Sequence, residues 1–593
     1  MHRLILCFGI VFTLLAGVGH AQPVEPPSVQ SQYVTMRDGV RIAVDVWLPA
    51  DTTQPVPTLL NATRYWRGIQ NISEPNPDVA YFRAQGYAVV VMDVRGTGAS
   101  EGDWTMLWSD AEVTDMGDVM DWIVEQSWSN GRIGTYGVSY AGNAAEVAAA
   151  LHHPALKAVA LQFSTFDFLA NLAQPGGVYN LLAGMWQAFI AQLDQGDPCA
   201  FAPILQMSCA DLEAFTPAVR SVDADTDRSM LDAIIAERTG NINVTELITG
   251  DFRELMAANG ASIDSVSPHG RAEAIESSGV PMFVQVGWLD AATVDGALSR
   301  YLTLSNPQQL VIGPWSHGGN FNTDPFAPPE TVANVEEQYA ALVSFFDQYL
   351  KSEAAPPASQ IRYYTLNAGT WSTTVTWPPQ GVEMEHWYFA PEAALSPQAP
   401  SDEQGQDIYT ADFTATTGTN SRWYTQVTSG DVLYPERAAA DANLLTYTSA
   451  PLEQAVEITG NPVVTLYVAS SEADGAFHVY LETVAPDGSV TLITEGVLRG
   501  LHHQISANAP YTPVGPYHSL READAAPLVP GEIAELQFSL YATSVLIEPG
   551  YQMRVAIAGA DAENFQHYPA EGTPIITIYR NSVYASSIDL PVK

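Results

Sequence analysis

The sequence predicts an α/β domain with a helical insertion, followed by a separate all-β domain. Three observations carry that reading. Short apolar runs at 58–60, 88–92, 132–138, 158–162, 281–287 and 309–312 alternate with helical segments. Runs apolar on both faces suit the buried strands of a mostly parallel sheet. Between residues 166 and 269 that pattern stops and helical stretches replace it. From about residue 362 onward, strand-like segments alternate with turn signals, as in a sandwich or jelly roll. A chain of 593 residues is too long for one core, so several domains are expected.

The elements follow in order. Arg3, the apolar stretch 4–18 and Gly19-His20-Ala21 read as a secretory signal with a small-residue cleavage site, ending at residue 21. The expected location is therefore secreted or periplasmic, with no membrane partner once the signal is removed. Val40, Ile42, Val44, Val46 and Leu48 alternate after an Asp38-Gly39 turn, a hairpin signal. In 112–124, Met116, Val119, Met120, Ile123 and Val124 recur at helical spacing, and Ser109 with Glu112 forms a capping-box pattern. Helical stretches at 181–193 and 228–237 lie inside a cap spanning 166–269. A helix over 335–351 closes the α/β domain, which comprises 28–165 and 270–352. The β domain, 362–593, holds strand-like runs at 463–469, 477–484, 490–498, 535–540 and 553–558. Asp487-Gly488, Pro530-Gly531 and Pro549-Gly550 punctuate it.

Composition narrows the function. Net charge is −42, and lysine occurs only at 157, 351 and 593. Such a surface has no basic footprint to displace phosphate counterions, which excludes nucleic acid as a partner. Cys7 leaves with the signal. In an oxidising compartment Cys199 and Cys209 pair by default, with two free buried thiols as the alternative. No Cys or His pair has metal-ligand spacing, and the adjacent pairs His152-His153 and His502-His503 do not face one ion easily. Gly96-x-Gly98-x-x-x-Gly102 is not the dinucleotide spacing. No metal or cofactor is expected.

The chemistry gathers at strand ends. The run Gly137-Val138-Ser139-Tyr140-Ala141-Gly142 reads as strand, sharp turn, helix, with Ser139 exposed at a strained turn. Asp290 follows the strand 281–287, and His317 follows 309–312. The chain order Ser, Asp, His is the hydrolase-fold order of a catalytic triad. His317 is the base for the Ser139 hydroxyl, and Asp290 fixes its tautomer. The backbone N–H of Tyr140 and the phenol of Tyr65 are the candidate oxyanion donors. In the cap, Trp186 and Phe166 are candidates for an acyl pocket.

Taken together, these motifs resemble the CocE/NonD hydrolases, the cocaine esterase-like group of the X-Pro dipeptidyl-peptidase (S15) superfamily. The likeness covers nearly the whole chain after the signal. It rests on Asp93-Val94-Arg95-Gly96-Thr97-Gly98-Ala99-Ser100-Glu101-Gly102, Trp128-Ser129-Asn130-Gly131-Arg132-Ile133-Gly134, the Ser139 turn, Gly287-Trp288-Leu289-Asp290 and Gly313-Pro314-Trp315-Ser316-His317. The resemblance implies an α/β-hydrolase domain with a helical cap and a C-terminal jelly roll. It also implies the triad Ser139, Asp290, His317 with oxyanion donors at Tyr65 and Tyr140. The expected reaction is hydrolysis of a small-molecule carboxylic ester, or an amide, through an acyl-enzyme. An X-Pro dipeptidyl-peptidase or acyl-peptidase, and a non-catalytic binding protein with a relic hydrolase domain, are the alternatives. Two departures stand out. Thr63-Arg64-Tyr65 replaces the family's usual Thr-Pro-Tyr. Ala291, Ala292 and Thr293 follow Asp290, where the related α-amino-acid ester hydrolases place carboxylates for a substrate ammonium.

Overall fold

The computed structural model describes residues 29–70, 74–202, 208–210, 218–352 and 357–593. The predicted signal, 1–21, lies outside the described residues. Ten strands form the first sheet: β1 (Gln30–Thr35), β2 (Arg41–Trp47), β3 (Val56–Thr63), β4 (Ala88–Asp93), β5 (Ser129–Val138), β6 (Leu156–Gln162), β7 (Met282–Gly287), β8 (Gln308–Gly313), β9 (Gln360–Thr365) and β10 (Thr370–Thr374). Their spatial order is β1-β2-β4-β3-β5-β6-β7-β8-β9-β10. The strands β3 to β9 run parallel, while the hairpins at either edge are antiparallel.

Alternation along each strand divides two cores. Leu59, Val89, Tyr136, Ala160 and Phe283 point to one face, beneath α1 (Pro77–Ala84) and, later in the chain, the helix Val335–Phe346. Leu60, Val90, Met92, Leu161 and Val284 point to the other, against α2 (Asp110–Glu125) and α3 (Tyr140–Val147). The helical segment between β6 and β7 includes α4 (Leu181–Asp194) and Ser229–Glu237. Cys199 and Cys209 are joined by a disulfide there. No helix among the described residues is long and apolar enough to cross a membrane.

Two local expectations change. The hairpin β9–β10 continues the first sheet, with Leu310 opposite Ile361, rather than opening the β domain at 362. Ile361 and Tyr363 are buried against the α/β domain, so the second sheet starts at Glu383–Ala390. Ser109 does cap α2, accepting from Glu112 N at 3.2 Å. The Glu112 side chain, however, turns inward instead of closing the capping box, because it lies on the apolar stripe with Met116, Val119 and Met120.

The second domain is all β. Its thirteen strands bury Val464, Leu466, Val468, Phe477, Val479, Val555, Ile578 and Leu590 between layers. Two of its irregular segments reach back to the first domain. Tyr511 and Tyr517 meet the cap's Asp167–Arg253 pair, and Arg422 and Gln426 meet the loop after β7.

Candidate active site

Ser139 sits between β5 and α3 at φ +60°, ψ −123°, a conformation L-residues rarely adopt. Its amide N–H donates to Gln162 O at 2.9 Å, tying the turn to the end of β6. Gly137 makes the turn possible: a Cβ there would lie 2.4 Å from the Ala141 carbonyl group, and backbone cannot yield that distance. Tyr140, the next residue, is gripped on three sides. Its phenol donates to Glu112 Oε2 at 2.7 Å and accepts from Trp104 Nε1 at 3.0 Å. Its carbonyl accepts from Trp108 Nε1 at 3.0 Å. Its own N–H lies in the first turn of α3, where amides lack intrahelical partners. Burial pushes the Glu112 carboxyl up to about 8, so near neutral pH it is largely an uncharged acid.

Asp290 and His317 follow β7 and β8, which lie beyond β6 from the Ser139 strand. Gly287 and Gly313 face each other at the ends of β7 and β8. A Cβ on Gly287 would lie 2.0 Å from Trp315 O, so the bare backbone lets the His317 loop fold over the Asp290 loop. His317 Nδ1 then lies 2.9 Å from Asp290 Oδ1, both side chains being almost wholly buried. Thr293 Oγ1, with a single hydrogen to give, lies 2.7 Å from the Asp290 carbonyl oxygen and 2.9 Å from its Oδ2. The Phe163 ring packs edge-on against the imidazole, 6.0 Å between centroids.

Tyr65 follows β3. Its phenol oxygen accepts the indole N–H of Trp186, on α4, at 2.8 Å. With that lone pair occupied, the single phenolic hydrogen is left to point elsewhere. Its ring stacks on Phe189 and meets Tyr140 edge-on. Burial raises its pKa, which keeps it a protonated donor. The unusual Arg64 has a structural account. Its guanidinium lies 4.3 Å over the Trp104 ring and pairs with Asp194 of α4 at 3.0 Å, joining this loop to the cap. Arg67, three residues on, is buried between Asp45 and Asp93. Asp93 also accepts from Arg67 N and Ala99 N, so the Asp93–Gly102 motif anchors the Tyr65 loop.

A small cavity opens beside Ser139, Tyr140 and Tyr65. Ser139, Tyr140, Tyr65, Phe163, Phe168, Leu172, Trp186 and Gln426 line it, and none of its lining residues is a carboxylate. Trp186 therefore stands in the wall. Phe166 does not: its ring is fully buried behind the wall, against His269, Tyr511 and the Arg300 guanidinium. Phe168 takes the place expected of it. The sequence reading also missed Glu112, Arg422 and Gln426. A charged residue on the apolar stripe of α2 was the available signal for Glu112; nothing in the sequence marks the other two.

Two family models match the chain in tandem. The X-Pro dipeptidyl-peptidase (S15 family) model covers residues 38–319, and the model for the X-Pro dipeptidyl-peptidase C-terminal non-catalytic domain covers 354–586. A putative serine esterase of Mycobacterium bovis is 38% identical over 608 residues, covering 95% of each chain. The cocaine esterase of Rhodococcus sp. is 26% identical over 604 residues, covering 94% of this chain and 97% of its own. The chain belongs to the CocE/NonD hydrolases of the S15 superfamily. It is a serine hydrolase. Among solved structures, an aminopeptidase from a marine sediment archaeon superposes with a TM-score of 0.73 at 19% identity, covering 98% of this chain and 99% of that one. That likeness concerns the fold. In this CocE/NonD hydrolase, the shared motifs 93–102, the Ser139 turn, 287–290 and 313–317 fall at the ends of β4, β5, β7 and β8.

Proposed function

We propose that this CocE/NonD hydrolase is an exported esterase that cleaves carboxylic esters, and amides less readily, through an acyl-enzyme on Ser139. His317 takes the hydroxyl proton as Ser139 attacks and returns it to the leaving alcohol. Asp290 holds the imidazole and stabilises its cation. The Tyr140 N–H and the Tyr65 hydroxyl stabilise the oxyanion. Water then repeats the sequence to release the acid. The observation that carries this reading is the buried His317–Asp290 hydrogen bond of 2.9 Å, formed after β7 and β8 in the same sheet whose β5 leads into the strained Ser139, with β6 between.

The apolar cavity wall supports an uncharged acyl group. A dipeptidyl or aminoacyl substrate brings an ammonium group, and a carboxylate placed to meet it is absent both from the cavity wall and from positions 291–293 among the described residues. Export is supported by the signal-like first residues and by the Cys199–Cys209 disulfide, a bond that persists in oxidising compartments. The test is hydrolysis of p-nitrophenyl acyl esters beside an X-Pro anilide. Ser139→Ala is expected to lower ester turnover by about 10⁴-fold or more and to abolish fluorophosphonate labelling. Tyr65→Phe is expected to lower kcat by about 10²–10³-fold. Retained turnover in Ser139→Ala removes the reading, and preferential cleavage of the anilide replaces the substrate class.

A further inference from the structure

Asp290 is completely buried, and three side chains lie within hydrogen-bond distance of its carboxylate. His317 Nδ1 and the Gln426 side-chain amide share Oδ1, at 2.9 and 2.5 Å, and Thr293 Oγ1 holds Oδ2 at 2.9 Å. His317 and Thr293 belong to the α/β domain. Gln426 comes from the second domain, on the short helical turn Thr425–Thr428. The approach of that turn is fixed by Arg422, which is fully buried. Its Nε donates to Ala291 O at 2.7 Å and its Nη2 to Trp288 O at 2.8 Å. In return Ala291 N donates to Arg422 O at 2.9 Å. Ala291, next to Asp290, is at φ +43°, a left-handed conformation that a β-carbon makes costly. The second domain thus grips the strained residue beside Asp290 and reaches the carboxylate itself.

We propose that this second domain supplies a positioning residue to the reaction: Gln426 fixes the Asp290 carboxylate and, through it, the imidazole of His317. The inference rests on the triad reading of the same site. A carboxylate held by its imidazole and one hydroxyl can still trade one oxygen for the other by rotating about its terminal torsion. A second donor on Oδ1 resists that exchange. The imidazole ring then has one orientation in which its Nδ1 proton is accepted, and its opposite nitrogen has one direction in which to meet Ser139. A donor to a buried charged group is worth several-fold to about a hundredfold when it is lost.

Gln426→Met keeps the length and bulk of the side chain and removes the amide. With a p-nitrophenyl ester, kcat is expected to fall about 10- to 100-fold while KM stays within about threefold. The downfield proton resonance of His317 Nδ1 is expected to shift or broaden. Thermal unfolding establishes that the variant folds. Gln426→Asn retains the amide but stops one methylene short, and is the second variant if Gln426→Met does not fold. It is expected to lose kcat in the same way. A kcat within twofold of wild type, or a loss confined to KM, overturns the assignment and leaves Gln426 as cavity wall. Ser139→Ala, run in parallel, separates the two ideas. If Ser139→Ala is inactive while Gln426→Met turns over normally, only Gln426 loses its role. If Ser139→Ala is active, the triad reading falls with it.

Discussion

The Ser139 turn and the Asp290 loop solve the same problem with different materials. Each holds a functional side chain at the end of a parallel strand next to a non-glycine residue of positive φ, Ser139 itself at +60° and Ala291 at +43°. The Ser139 turn is held within its own domain, by Gln162, Trp108 and Glu112. The Asp290 loop is held by His317 and Thr293 of its own domain and also from outside, by Arg422 and Gln426 of a domain that starts about a hundred residues later in the chain. Strain at a reactive site persists only where its surroundings over-determine it. Here one site draws those surroundings from its own domain, and the other draws part of them from domain packing.

That contrast can be broken at either end. The largest effect is expected from Gly137→Ala, whose methyl meets backbone at 2.4 Å. Fluorophosphonate titration should find less than about 1% of the wild-type nucleophile, with the all-β domain's structure intact by circular dichroism. A reactive Gly137→Ala would mean that the turn is looser than its packing implies. Next is Arg422→Met, which removes the two side-chain hydrogen bonds that cross the domain boundary to Ala291 O and Trp288 O. A loss of about 2–4 kcal/mol in stability and a drop of about tenfold or more in kcat are expected by thermal unfolding and ester kinetics. Unchanged kcat would show that the Asp290 loop holds itself.

Smaller effects sharpen the local side. Trp186→Phe keeps an aromatic ring but loses the N–H that occupies the Tyr65 oxygen. It is expected to cost about 3- to 10-fold in kcat, and nothing further once Tyr65→Phe is present. Equal costs in both backgrounds would restrict Trp186 to the cavity wall. Glu112→Gln addresses the grip on Tyr140. The Glu112 carboxyl titrates near 8 when folded because burial disfavours its charge, against 4.5 ordinarily. Its neutral form therefore favours folding below pH 4.5, and that advantage is lost as pH rises toward and through 8. The melting temperature of wild type relative to Glu112→Gln should fall between pH 5 and 8.5; a constant difference would show that Glu112 ionises normally.

The same division explains what the sequence revealed. Strands β3 to β8, α2 and the cap helix α4 were legible because hydrophobic period and turn residues act over a few positions. The loops bearing Ser139, Asp290 and His317 were legible because glycines and motif residues mark them locally. The hairpin β9–β10 was not, since the change to strand-like sequence at about residue 362 does not say which sheet a strand joins, and only the pairing of Ile361 with Leu310 assigns it. Phe166 and Phe168 are two residues apart in a turn without regular period, so spacing alone does not say which faces the cavity. Glu112 carried a faint signal, an acid on an apolar stripe. Arg422 and Gln426 carried none, because what makes them matter is a surface more than 130 positions away.

The convergence of Ser139, His317 and Asp290 on one carbonyl is tested most directly by a crystal structure of the fluorophosphonate adduct. The account predicts phosphorus bonded to Ser139 Oγ, with the phosphonyl oxygen within hydrogen-bond distance of both the Tyr140 N–H and the Tyr65 hydroxyl. It also predicts His317 Nε2 beside Oγ, with its Nδ1 still on Asp290. An adduct on another residue, or one on Ser139 with the imidazole turned away and the phosphonyl oxygen facing neither donor, would contradict it.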